Sequence, residues 1–138
     1  MKNSNFSDHI VVPLANESDA RSTAAALEPY RFDRITVVHV VEKGGGVPDK
    51  TPVEQSEQMA KEAFEEFKAS FPEVKTEVTY KRDVIQGIID VADNVDASAI
   101  VFRPQRGGRV QRLLAGDRSL RLITESDKPV IAIPGDDE

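Results

Sequence analysis

Apolar positions along the chain gather into five short runs, and the four stretches between them carry the wider spacing of helices. Ile10-Val11-Val12 predicts a strand over 8–14, and a helix is expected over 18–27, closed by Pro29. Residues 34–41 (Arg-Ile-Thr-Val-Val-His-Val-Val) are β-branched and apolar on both faces, the pattern of a buried parallel strand. Thr51-Pro52-Val53-Glu54 reads as a capping box with proline at the first helical position. The helix it opens is expected to reach Ser70, with Met59, Ala63, Phe64 and Phe67 as its apolar stripe. Residues 74–80 alternate, as a half-buried or edge strand does. Asp83 can cap a third long helix to Val95, buried through Val84, Ile88, Ile89 and Ala92. Ala99–Phe102 predicts a short central strand, and 104–116 a long loop containing Gly107-Gly108. Asp117 can cap a last helix to Glu125, and Pro129–Pro134 is a final strand bracketed by prolines.

Strands alternating with helices imply an α/β fold: a doubly wound, five-stranded parallel sheet, Rossmann-like, with helices on both faces. Right-handed crossovers restrict the topology, and the expected strand order is 3-2-1-4-5. Ligands in such sheets bind at the carboxyl ends of strands, where the strand order reverses. Here that point lies between the first and fourth strands, lined by 13–16, 40–42 and the loop from Arg103 onward. Neither repeats nor a linker interrupt the pattern, so 1–138 reads as one domain.

Composition narrows the chemistry. The 138 residues are 39% apolar and 30% charged, an ordinary globular balance. Without cysteine there is neither a disulfide framework nor thiol chemistry. Two histidines, far apart in sequence, supply no metal-ligand spacing. No run approaches a membrane span, and no apolar run follows Met1–Asn5, so the expected compartment is the cytoplasm. A net charge of −6 argues against nucleic acid. The average hides an asymmetry, because six of the ten arginines (Arg103, Arg106, Arg109, Arg112, Arg118 and Arg121) fall just after the fourth strand. Two readings of that cluster stand side by side. It is an anion-binding surface for a small phosphorylated ligand or an acidic partner. Or it forms surface ion pairs with the acidic helix around 54–66 or with Asp117.

Nucleotide and hydrolase signatures are missing: no G-x-x-x-x-G-K-[ST], no G-x-G-x-x-G after the first strand, no G-x-S-x-G. His39, inside an apolar strand, is expected to be a core histidine bonded to backbone, and His9, ahead of the first strand, to be exposed. Ser18 and Ser119 read as helix-start residues, not nucleophiles, because no local motif gives them a base. No catalytic residue is assigned, and the chain is not read as an enzyme.

Six pieces spread over most of the chain carry a resemblance. They are Ile10-Val11-Val12-Pro13-Leu14, Thr36-Val37-Val38-His39-Val40-Val41, Ala99-Ile100-Val101-Phe102, Gly107-Gly108, Leu113-Leu114-Ala115-Gly116 and Lys128-Pro129-Val130-Ile131-Ala132-Ile133. In this order and spacing they resemble the universal stress protein family. The resemblance implies a five-stranded adenine-nucleotide-hydrolase-like sheet and usually a homodimer. One branch of the family binds ATP or another adenine nucleotide through G-x2-G-x9-G-[S/T] after strand four and an Asp closing strand one. Laid on this chain, the third glycine is Gly116, but the first two are Arg103 and Arg106, and the Ser/Thr position is Asp117. The strand-one position is Ala15, followed by Asn16. The family-equivalent crevice is therefore Ala15, Asn16, Val40, Arg103, Arg106, Gly107, Gly108, Gly116, Asp117 and Arg118.

The departures point one way. Glycines let backbone N–H groups approach phosphate, and arginines in their place add bulk. An ionised Asp117 only accepts hydrogen bonds, and Ala15 cannot bond a ribose hydroxyl at all. Each missing contact is worth about 1 kcal/mol, roughly tenfold in affinity if the losses add. The expectation is a non-enzymatic stress-response domain without standard ATP binding and with no cofactor. The alternative is a module that holds a nucleotide or phosphometabolite through the arginine loop and Gly107-Gly108. A final strand at the sheet edge is expected to pair with its copy in a homodimer.

Overall fold

The computed structural model describes residues 5–42, 50–104 and 117–134, and only the backbone of 50–52 and 117. The elements are β1 (His9–Pro13), α1 (Glu17–Leu27), β2 (Arg34–Glu42), α2 (Lys50–Ser70), β3 (Lys75–Lys81), α3 (Val84–Asn94), β4 (Ala99–Phe102), α4 (Asp117–Glu125) and β5 (Val130–Ala132). All five strands join one parallel sheet in the order β3-β2-β1-β4-β5. That is the expected order, with β1 at the centre and the reversal between β1 and β4.

Alternation along the central strands sorts the core into two layers. Ile10, Val12, Leu14, Ile35, Val37, Ala99 and Val101 meet α1 and α2 through Ala20, Ala24, Leu27, Ala63 and Phe67. Val11, Val38, Val40, Ile100 and Phe102 meet α3 and α4 through Val84, Ile85, Ile88, Ala92 and Leu122. Both faces of β1 and β2 are buried, which is why these strands read as continuous apolar runs. β3 is an edge strand, and its outer positions Val78 and Tyr80 are exposed. β5 is the other edge and is only partly covered.

Local chemistry explains the helix starts. Asn16, in extended backbone, caps α1 by accepting the Asp19 N–H at 2.8 Å. Asp83 caps α3, accepting the Ile85 N–H at 3.0 Å, as its sequence position predicts. The backbone of α2 begins at Lys50, but the side chains of Thr51 and Pro52 in the expected capping box lie outside the described residues. Gly87 lets α3 press onto β2: a Cβ there would sit 2.9 Å from Cγ2 and 3.0 Å from Cγ1 of Val40.

One expectation is corrected. His9 is the first residue of β1 and is 7% exposed, not a surface group. Register sets it opposite Arg34, and its Nε2 lies 2.8 Å from the buried Thr36 Oγ1. No helix among the described residues is long and apolar enough to cross a membrane.

Candidate functional site

The carboxyl ends of β1, β2 and β4 open together, and the described part of the expected crevice is built there. Its central member is Ala15, just past β1 and 9% exposed. Ala15 offers no polar side chain, but its N–H donates to Asp19 Oδ2 at 2.8 Å. The Asp19 carboxylate also accepts the Thr23 hydroxyl on Oδ1 at 3.3 Å. Burial pushes the Asp19 carboxyl above its ordinary range, while the Ala15 and Thr23 hydrogen bonds and the positive charge of Arg103 pull it back. Asp19 was not among the expected site residues. Its signal was present in the Asn16-x-x-Asp19 spacing, which brings an acidic side chain back over the strand end.

The expected residues separate into groups. Ala15 follows β1 and half-buried Arg103 follows β4, adjacent strands on either side of the switch point, and Asn16 caps α1. The side chain of Val40 packs in the core beneath α3, against Gly87. Arg118, at the start of α4, faces Glu42 at the end of β2, Nη2 to Oε2 3.6 Å. Both side chains are about half exposed, so this is a surface bridge of small energetic value. Arg106, Gly107, Gly108 and Gly116 lie outside the described residues, as does the Asp117 side chain.

Arg121 forks onto Asp83, donating to Oδ2 at 2.6 Å and Oδ1 at 3.2 Å, and its Nε donates to Glu125 Oε2 at 2.9 Å. The Arg121 hydrogen bonds hold the Asp83 and Glu125 carboxyls below their usual range. Among the described residues, then, Arg118 pairs with Glu42 and Arg121 with Asp83 and Glu125, and the Asp117 side chain expected as a partner lies outside them. The acidic helix instead meets Arg21, through Glu66 at 3.2 Å.

His39 sits below the crevice as a core histidine bonded to backbone, as expected. Its Nδ1 lies 2.9 Å from the Leu14 carbonyl and its Nε2 2.8 Å from Ser56 Oγ. A carbonyl only accepts, so Nδ1 carries the proton and Nε2 accepts from the Ser56 hydroxyl. Ser56 and His39 thus have the relation of a nucleophile and its base. The third member, however, is a neutral carbonyl, which stabilises an imidazolium less than a carboxylate would. Burial also lowers the ring's pKa, and the trio ties β1, β2 and α2 together. Among the described residues no group of His, Asp or Glu could hold a metal ion.

A cavity of about 540 Å³ opens at the other end of the sheet, lined by Phe32, Arg34, Phe71, Val74 and Lys75 with His9 at its wall. It lies at the amino ends of β1, β2 and β3, away from the switch point where sheets of this kind hold ligands.

Comparison with known proteins agrees with this architecture. A family model described as the universal stress protein family matches residues 7–134. No curated protein matches the chain. Among solved structures, the universal stress protein from Archaeoglobus fulgidus in complex with dAMP is 26% identical, with 94% of this chain and 99% of that chain covered and a TM-score of 0.65. UspA from Lactobacillus plantarum is 22% identical over 95% of this chain and 99% of that chain, TM-score 0.68. A universal stress protein family protein from Arabidopsis thaliana, solved with AMP bound, is 14% identical over 94% and 92%, TM-score 0.55. With the matched region running from Ser7 to Pro134 and so taking in all five strands and four helices, the chain belongs to the universal stress protein family.

Proposed function

We propose that this chain is a cytoplasmic, non-enzymatic stress-response domain whose crevice has given up the standard ATP contacts. The observation that carries this reading is the composition of the switch point. Ala15 stands where a hydrogen-bonding carboxylate would meet the nucleoside, and Arg103 where a glycine would let backbone reach phosphate. The nearby carboxylate of Asp19 is already engaged by Ala15 N–H and the Thr23 hydroxyl. Calorimetric titration with ATP at low and high salt is the test. The expected result is no saturable binding in the micromolar range; micromolar ATP binding would overturn the reading.

A second reading draws on the 26%-identical Archaeoglobus fulgidus protein, which was solved with dAMP. In it the chain holds an adenine mononucleotide or another small phosphorylated compound, with Arg103 and Arg106 supplying by side chain the anion attraction that glycines supply by backbone. Binding of AMP or dAMP that disappears in Arg103→Gly plus Arg106→Gly would establish it.

The domain is proposed to act as a homodimer through β5. What supports this is an edge strand, Val130–Ala132, only partly covered, with the exposed side chains of Leu120 and Ile123 on α4. A mass measured by light scattering that stays monomeric over a wide concentration range would refute it.

A further inference from the structure

We infer that Asp19 is a built-in counter-ion that occupies Arg103 and so keeps phosphate-bearing ligands from the switch point. This rests on the reading that the carboxyl-end crevice is the ligand site. It adds a specific residue that controls which ligand can enter.

The geometry comes from register. β1 and β4 run side by side, Ile10 beside Ala99 and Val11 beside Ile100, so the chain leaves both strands at the same level of the sheet. Leu14-Ala15 and Phe102-Arg103 are thus neighbours across the point where strand order reverses. α1 begins directly above, and Asp19 in its first turn reaches back to the Ala15 N–H. The Asp19 carboxyl is thereby fixed over the end of β1, beside the first residue after β4. The positive charge of Arg103 is close enough to act on that carboxyl, which is half-buried.

The consequence follows from charge alone. A phosphate seated against Arg103 at the strand end would also stand close to Asp19, in a setting where water screens poorly. The attraction offered by one group is cancelled by the other. A ligand without phosphate charge loses little by this arrangement, whereas ATP loses most. Burial works against the ionised form of Asp19, and the Ala15 and Thr23 hydrogen bonds and the charge of Arg103 work for it. Asp19 therefore does two things that can be separated. Its oxygen caps the Ala15 N–H, which an amide can also do, and its charge offsets Arg103, which an amide cannot.

Asp19→Asn separates them, and the probes are ATP, AMP and adenosine titrated at neutral pH. The substitution is expected to raise ATP affinity roughly tenfold or more, AMP affinity by less, and adenosine affinity not at all. The gain should shrink at high salt and vanish in Asp19→Asn plus Arg103→Gln. Far-ultraviolet circular dichroism and thermal melting of the Asn variant should match the parent, because the cap is kept. Equal or weaker ATP binding by Asp19→Asn overturns the inference, as does a gain that survives loss of Arg103. Micromolar ATP binding by the parent protein would instead count against the loss of ATP contacts proposed above. It would leave the comparison between parent and variant fully readable.

Discussion

Two histidines mark the two ends of this sheet. At the carboxyl end His39 is fully used, with Nδ1 on the Leu14 carbonyl and Nε2 on Ser56. At the amino end His9 is equally buried but half used: Nε2 meets Thr36, while Nδ1 has no hydrogen-bond partner among the described residues. Burial lowers both pKa values, with the charge of Arg34 adding to the effect on His9. Similar residue types in neighbouring parallel strands therefore do different work. The carboxyl end is tied together from β1 to α2, so the loops that follow the strands start from fixed points. The amino end tolerates an unmet ring nitrogen beside a cavity.

Substitutions can break that contrast or sharpen it. The largest effect is expected from His39→Phe, which strands the Leu14 carbonyl and the Ser56 hydroxyl and should cost about 2–4 kcal/mol in urea unfolding. A cost equal to that of His9→Phe would break the comparison. Gly87→Ala should come next. The new methyl must displace Val40 at the carboxyl half of β2, and overpacking of about 1–3 kcal/mol outweighs the roughly 1 kcal/mol that alanine offers a helix. Asp83→Ala should lose about 1 kcal/mol with the α3 cap. The smallest effect, under about 1 kcal/mol, is expected for His9→Phe, which gives up one hydrogen bond but also removes a nitrogen that had none.

Acid titration sharpens the same contrast. Both folded-state histidine pKa values lie below the ordinary 6.5, so the unfolded chain takes up those protons first. Stability from these groups is complete above pH 6.5 and falls as pH drops below it. Asp83 is shifted down from 3.8, so its share is kept above that value and lost as pH falls through its folded-state pKa. Two separate acid steps are expected in thermal melts. Only the upper one should flatten in His39→Phe and His9→Phe.

The fold was legible because its signals are local. β-Branched runs at 10–12 and 34–41 mark strands buried on both faces, and Asp83 stands where a helix must be capped. The site was legible as a place more than as a set of contacts. Ala15 and Arg103 follow adjacent strands, β1 and β4, on either side of the switch point, because strand order decides that. The side chain of Val40 packs in the core because Gly87 lets α3 lie against it, a contact that nothing within the apolar run encodes. His9 misled because burial at a strand's first residue comes from the neighbour in register, here Arg34 and beyond it Thr36. Glu42 and Asp83, the partners of Arg118 and Arg121 on other elements, depend on where α4 lies against β2 and α3, whereas Glu125 is an i,i+4 neighbour of Arg121 that spacing does encode.

The central place of β1 also bears on how the chain is made. Its first strand-forming residues must wait with one edge open, since Ile10 can pair with Ala99 only after that residue has emerged from the ribosome. The β2 side can be satisfied early, by Ile35, and the β4 side only late. A nascent chain released before residue 99 would expose, along a full edge, a strand that is buried over its whole length in the fold, the form in which a chaperone or a protease would meet it.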